Sequence, residues 1–583
     1  MDYQELVRVY EQLESTTKRL EKTHVLAEFL KSADELDMIM LLVQGKVFPS
    51  WDSRELGIAS KLAVKAIGTA TGASAEAIDK VWRETGDLGE TAKQLCTAKS
   101  QATLFSETLT VGKVFANLQK LASLEGTGTV ERKMQLIAEL LSNASPREAK
   151  YVLRTVLGDL RVGLGEGTLR DAIVWAFFAE EAGVEFKEGK LELEDREVYN
   201  NYAALVQRAL DITNDFGEVA QLAKREGEEG VAKVSLRPGK PSKVMLYQKA
   251  TSIENAFERV GSPAAFEYKY DGFMAQIHKT QGKVLLFTRR LENVTTQFPD
   301  VIESVSKHVS ADEFIFDAEI VGVGKDGKYL PFQTVSQRIK RKYDIKAMAA
   351  KFPVEVNVFD VTFLEGRSML QVPFKERRGK VDALVANVPG QIKPAIQIIT
   401  GKKEEAEKFY QQALASGNEG VMAKNIEGTY KPGSRVGYGV KVKPTMDTLE
   451  VVIVGAEWGE GKRGQWLASF IVAVRDPDTE EFKEVGRVGT GVKEKPEEGL
   501  SFGELTEMLS PLIVEESGRE VRVKPEVIIE VDYEEIQSSP TYSSGFALRF
   551  PRVVKLRSDR STSDINTTSD VEALHASQRG RKV

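Results

Sequence analysis

The sequence predicts a multidomain chain with an all-α N-terminal part, an α+β middle and a small C-terminal β-barrel. Three observations carry that expectation. Apolar residues recur at helical spacing through roughly the first 230 positions, as Leu6, Tyr10, Leu13 and Leu20 illustrate. The run Leu236-Arg237-Pro238-Gly239-Lys240-Pro241 breaks that pattern, and strand character follows it. Past Pro444-Thr445-Met446-Asp447, short strands separated by glycine-rich loops take over. These breaks set domains at 1–235, 236–445 and 446–583.

Length and composition set the outer bounds. A chain of 583 residues has room for three or four cores, and 42% hydrophobic with 29% charged residues is a globular composition. The single cysteine, Cys96, excludes a disulfide framework and a multi-cysteine zinc site, and it fits a reducing, cytoplasmic compartment. No apolar run reaches membrane-spanning length and no leader pattern follows Met1, so no membrane partner is expected. A net charge of −7 does not advertise nucleic-acid binding, so local basic surfaces would have to supply it.

In the N-terminal part, helices are expected over 54–67, 129–141, 147–157, 169–178 and 198–212, with another starting at a Thr23 cap. Two stretches stand out from this bundle. Arg154 and the run Leu157-Gly158-Asp159-Leu160-Arg161-Val162-Gly163-Leu164-Gly165 join two helices through glycines. Such a run suits either an ordinary helix connection or a loop whose backbone N–H groups approach a phosphate. Gln101-Ala102-Thr103-Leu104-Phe105 sits in an expected loop and reads as a buried anchor or a docking peptide.

The middle part begins with Glu267-Tyr268-Lys269-Tyr270-Asp271-Gly272. Phe266, Tyr268 and Tyr270 alternate with Glu267, Lys269 and Asp271, which is a strand pattern ending in a turn. A hairpin around Gln281-Gly282 and a return strand to Arg289-Arg290 follow. In the strand 313–323, Phe314, Phe316, Ala318 and Ile320 share one face while Asp317 and Glu319 share the other. A strand at 354–362 contains Phe359-Asp360, Asn418 to Lys424 reads as another, and Lys441 and Lys443 share a face between Val440 and Val442. In the last part, strands are expected at 449–457, 466–474, 483–488 and 527–533, with a frayed polar tail from Arg560.

One lysine, several basic groups and carboxylates on polar strand faces are what nucleotidyl transfer needs. A lysine amine attacks the α-phosphate of a nucleotide and pyrophosphate leaves. Mg²⁺ (or Mn²⁺) prefers oxygen ligands and binds through few of them, which suits Glu319 and Glu419. Positive neighbours, the metal with Lys441 or Lys443, are expected to favour the unprotonated Lys269 amine. An aromatic such as Phe359 can stack on a purine, and a solvated strand residue or a core ring remains the plainer reading of each position alone.

Taken together and in order, these motifs resemble the ATP-dependent DNA ligases of the archaeal and eukaryotic replicative type. Lys269-Tyr270-Asp271-Gly272 matches the adenylation motif, which implies that Lys269 carries AMP from ATP and that Glu267 contacts adenine. Thr288-Arg289-Arg290 resembles the motif whose first arginine holds ribose and nick phosphate. Asp317-Ala318-Glu319 and Glu419 to Lys424 resemble the motifs that supply ribose or metal contacts from Glu319, a metal carboxylate from Glu419 and a phosphate-binding Lys424. Phe359 takes the adenine-stacking place, and Arg435, Lys441 and Lys443 the nucleotide contacts of the final strand. Leu548-Arg549-Phe550-Pro551-Arg552 with Arg557-Ser558-Asp559-Arg560 resembles the motif that orients pyrophosphate, here through Arg552.

The resemblance further implies an adenylation (nucleotidyltransferase) middle domain, a C-terminal OB-fold and an N-terminal DNA-binding domain. It implies a monomer that acts on nicked duplex DNA, gripping the backbone through Arg154, Arg161, Gly163 and Gly165. A sliding clamp would dock on Gln101, Leu104 and Phe105. A hinge around Thr445–Asp447 is expected to let the OB-fold turn between steps. Two departures stand out: Met274 replaces an arginine five residues after the lysine, and Gly439 replaces a tryptophan two before Lys441. An RNA ligase or capping enzyme, or a non-catalytic clamp-associated scaffold, are the rival readings; the long helical part argues against the first and the retained lysines and acids against the second.

Overall fold

Capping residues fix where many of the N-terminal helices start. Ser145 and Glu148 form a reciprocal capping box with Pro146 in the first turn, and this pins the helix Pro146–Val156. Ser74, Thr110, Asp195 and Asp215 accept from first-turn N–H groups of their own helices. The computed structural model describes residues 1–52, 54–97, 107–124, 128–324, 327–330, 332–339, 343–444, 448–460 and 463–578. Among these, twelve helices lie between Tyr3 and Ala232. The expected pattern therefore holds, with three amendments. Thr23 is inside the helix Arg19–Ser32, where its hydroxyl donates to the Arg19 carbonyl, so it is not a cap. The helix expected from Arg54 starts at Ser60, because Asp52 holds the Arg54 guanidinium and Gly57 has a φ of 63°. A hairpin, Val184–Lys187 with Lys190–Leu193, interrupts the helices.

The chain divides into two compact units. The first comprises Met1–Gln248, Gly272–Ile396 and Lys424–Gly439. Here an antiparallel sheet runs in the order Arg367–Ser368, Val354–Leu364, Phe314–Val323, Phe273–Thr280, Lys283–Thr288. The hairpin turn is at Gln281 and Gly282 as expected, with Thr280 opposite Lys283. Phe314, Phe316, Ala318 and Ile320 join Ala275, Ile277, Val356 and Val358 in one buried cluster. Ile315 and Phe363, on the other face, belong to the core of the helical part.

The proline-rich connector after the helices is fastened to this sheet by buried polar groups. The Gly239 N–H donates to His278 Nδ1 at 3.0 Å, and the Ser242 N–H donates to Gln276 Oε1 at 3.1 Å. Both ring and amide are buried. The strand Leu246–Ala250 begins immediately afterwards.

The second unit comprises Lys249–Asp271, Gln397–Ala423 and Val440–Val583. The strand Ala264–Lys269 lies between Gln397–Thr400 and Gly420–Asn425 in a five-stranded sheet completed by Arg435–Val442 and Leu246–Ala250. The β-rich C-terminal part has Leu449–Trp458 at its centre, paired with Leu467–Arg475, Glu520–Val523 and Ile528–Asp532. Alternate residues of these strands, including Leu449, Val451, Ile453, Phe470, Val472 and Ile529, form its core. The tail departs from expectation. A helix, Thr568–Ser577, starts at a Thr567–Asp570 capping box and buries Val571, so the chain past Arg560 is folded at least to Gln578. The apolar positions of this helix are too few for periodicity to announce it.

Candidate active site

The strand Ala264–Lys269 ends on Lys269, the residue marked as nucleophile. Its neighbour Gly420–Asn425 is held in register there, with the Glu419 N–H donating to the Lys269 carbonyl at 2.8 Å. That pairing brings the side chains together: Lys269 Nζ is 2.6 Å from the Glu419 carboxylate, both about one-fifth exposed. Lys441 and Lys443 come from the strand Arg435–Val442 and the residue after it. Burial first, then the Lys269 and Lys443 charges, push the Lys441 amine below its ordinary range. Lys443 Nζ is 2.8 Å from Glu534, a residue that sequence reasoning passed over. Burial works to raise the Glu534 carboxyl, but the Lys443 hydrogen bond and charge hold it low. Glu267 is buried and accepts from Gln397 Nε2 at 2.9 Å. In the second unit, therefore, three lysines and two carboxylates form one partly buried, charge-alternating cluster.

In the first unit, the chain resumes after Lys269 through Gly272, where a β-carbon would stand 2.3 Å from the Ile320 carbonyl oxygen. Only glycine permits that approach. The next strand sets Met274 directly opposite Glu319, so the departure from arginine falls beside an expected metal or ribose carboxylate. Asp317 is fully buried; burial pushes its carboxyl up to about 7, although the Tyr430 hydroxyl donates to it at 2.5 Å. Phe359 is half-buried, and its neighbour Asp360 forms a buried pair with Arg377 at 2.7 Å and 3.0 Å. Lys424 is buried, with its Nζ 4.8 Å from the centre of the Phe359 ring and 4.5 Å from that of Phe374. Such placement over ring faces is favourable for an ammonium.

The arginines divide into presented and committed groups. Arg289 and Arg290 stand exposed on a tight turn, where the Leu291 N–H donates to the Thr288 carbonyl. Arg435 is exposed at the first residue of its strand. Arg552 is exposed at the start of Arg552–Leu556, just after Phe550, which has a φ of 50°. Arg557 instead pairs with Glu450, Glu530 and Asp559 of its own domain, and Arg560 lies 3.5 Å from Glu450.

The glycine loop requires one correction. Arg154 does not face solvent: its guanidinium is buried against Asp87 at 2.6 Å and Glu14 at 3.1 Å, and reaches the Leu160 carbonyl at 3.4 Å. The residue lies on the inward side of Pro146–Val156, so it braces the loop from behind and cannot grip a ligand. Burial works to raise the Glu14 carboxyl, but hydrogen bonds from Tyr151, Arg154 and Lys150 bring it to about 2. Lys22, also missed from sequence, is buried and donates to the Val162 carbonyl at 2.5 Å. Arg161, Gly163 and Gly165 are exposed, with φ of 60° at Arg161 and 64° at Gly163. With these inner carbonyls tied to buried cations, the loop is fixed from its inner side. A buried cation on a neighbouring helix leaves no trace in local spacing, which is why Lys22 was not legible. Gln101, Leu104 and Phe105, and the hinge residues Thr445–Asp447, lie outside the described residues.

The chain is similar to known proteins along its whole length. Residues 2–174 match the family model "DNA ligase N terminus", 244–443 match "ATP dependent DNA ligase domain", and 463–560 match "ATP dependent DNA ligase C terminal region". The DNA ligase of Nanoarchaeum equitans is 46% identical over 584 residues, covering 100% of this chain and 99% of that protein. The DNA ligase of Thermococcus fumicolans is 44% identical over 580 residues, covering 99% of each. A solved structure described as "Pmar-Lig_Pre" covers 95% of this chain and 99% of its own, with a TM-score of 0.52 at 15% identity, a likeness of fold alone.

Proposed function

The chain belongs to the ATP-dependent DNA ligases, enzymes that seal nicks in DNA, and we propose that Lys269 is its nucleophile. The observation that carries this is the Lys269–Glu419 contact inside a cluster that also holds Lys441 and Lys443. In the first step, Lys269 Nζ attacks the α-phosphorus of ATP; a P–N bond forms, the bond to pyrophosphate breaks, and the amine gives up a proton. Lys441 and Lys443, which share the cluster with Lys269, would offset phosphate charge; Glu267 is proposed as an adenine contact and Phe359 as a ring that stacks on a purine. The AMP then passes to the 5′-phosphate at the nick, and the 3′-hydroxyl displaces it.

No group of three or more His, Cys, Asp or Glu side chains that could hold a metal occurs among the described residues. Mg²⁺ binds through one or two carboxylates together with substrate phosphates, so the Glu419 carboxylate beside Lys269 fits it as an oxygen donor shared with ATP, and Glu319 is proposed separately as a metal or ribose contact. When bound, the ion would neutralise charge on the phosphates. On the DNA side, Arg161 and the loop amides up to Gly165 would contact the duplex backbone without reading sequence, and binding would weaken with salt. The enzyme would act as a monomer in the cytoplasm.

Incubation with α-labelled ATP and Mg²⁺ tests the nucleophile. Wild type should form a covalent adenylate and Lys269→Ala none; labelling that survives the substitution would refute the assignment. For Gln101, Leu104 and Phe105 the proposed role is docking on a sliding clamp, from the sequence of that segment. Leu104→Ala with Phe105→Ala should abolish clamp pull-down, and unchanged retention would overturn the docking role.

A further inference from the structure

We propose that Tyr247 is a positioning residue of the nucleotide site, holding Lys424 in place, and that position 439 is glycine because the Tyr247 ring occupies the space of its β-carbon. This rests on the reading of Lys424 as a phosphate contact. The argument starts from a distance. A β-carbon built on Gly439 would stand 2.2 Å and 2.3 Å from two carbons on one edge of the Tyr247 ring. No real β-carbon comes so close to a neighbour, so any side chain at 439 must displace that ring. Gly439 is buried and Tyr247 half-buried, so the ring edge that meets Gly439 faces the protein.

The ring also faces the chemistry. Its centre lies 5.9 Å from Lys424 Nζ, so the ammonium is surrounded by Tyr247, Phe359 and Phe374. Three rings around one buried cation fix its position far better than one, because each ring face attracts the ammonium independently. Removing Tyr247 opens one side of the enclosure. The two residues come from different strands, Leu246–Ala250 and Arg435–Val442, so the pair is a complementary one: a ring from one strand requires a bare backbone on the other.

The test is self-adenylation with labelled ATP in the full chain, measured as KM for ATP and as the single-turnover rate at saturation. Tyr247→Leu should raise KM about tenfold with the saturated rate changed less than threefold, and Tyr247→Phe should bring KM back to within about twofold of wild type. Gly439→Phe should impair ATP binding alone, and Tyr247→Ala with Gly439→Phe should recover it, since the ring then comes from the other strand. A Tyr247→Leu protein with wild-type KM, or a double variant no better than Gly439→Phe, overturns the inference. If Gly439→Phe fails to fold, the Leu and Phe replacements of Tyr247 decide the matter. Lys424→Met runs alongside: a raised KM there with an unaffected Tyr247→Leu sinks this inference alone, whereas an unaffected Lys424→Met sinks the phosphate role it rests on.

Discussion

His278 makes the connector between the helical part and the first sheet sensitive to acid. Its ring is fully buried, and burial lowers its pKa from 6.5 to about 3. The Gly239 N–H donates to Nδ1, so that nitrogen must keep its lone pair and the ring must stay neutral. In the unfolded chain the imidazole takes up a proton below pH 6.5; in the fold it does so only near pH 3. The unfolded state therefore binds more protons across that window, and stability falls as pH falls. The total is about 3.5 pH units at roughly 1.4 kcal/mol each, or about 5 kcal/mol. Between pH 7 and pH 5 the share is about 2 kcal/mol. Replacing the ring by His278→Asn keeps an acceptor for the Gly239 N–H and removes the titration. Denaturant unfolding of both proteins at pH 7 and pH 5 should show the wild type losing about 2 kcal/mol more than the variant over that step. The chain has four histidines, so selectively labelled ring signals can be assigned by substitution. Equal losses in the two proteins, or a His278 signal that titrates above pH 5, would refute the reasoning.

Two further predictions concern buried guanidinium groups. Arg154→Met takes from Asp87 its close buried partner, leaving the half-exposed Arg161 guanidinium 3.9 Å away, and should cost roughly 3–5 kcal/mol of stability, whereas Arg161→Ala should leave melting almost unchanged and lower the salt dependence of nicked-DNA binding by about one ion. The opposite pattern would return Arg154 to the DNA surface. Arg377→Met should likewise cost roughly 3–5 kcal/mol by stranding Asp360, and adding Asp360→Asn should recover part of the loss in a double-mutant cycle; additive losses would deny the coupling.

The strands that hold the candidate site residues were legible because one face of each is apolar while the other carries the polar groups among its residues. The alternation from Phe314 to Ile320 announced both the buried face and the carboxylate face of its strand. The ordered motifs located Lys269 and Glu419, but only the pairing of Ala264–Lys269 with Gly420–Asn425 revealed that they touch. The resemblance put Arg154 among the DNA contacts, and local spacing could not show its burial because its two acids lie 67 and 140 residues away. Lys22, Glu534 and Tyr247 act through tertiary neighbours and carry no local pattern. Sequence spacing reports which face a side chain shares, not what stands opposite it.

The last described residue has a consequence for how this chain can be shortened. Gln578 uses its side-chain amide as if it were a peptide group, accepting from the Ile536 N–H at 2.6 Å and donating to the Ile536 carbonyl at 3.0 Å. It thereby closes the open edge of the ribbon Glu535–Ser538, whose other edge pairs with Phe546–Arg549. A chain ended after Arg560 would keep every motif residue yet leave that strand as a free template for another copy. Its defect would be self-association, visible by light scattering, in a protein whose catalytic residues are all present.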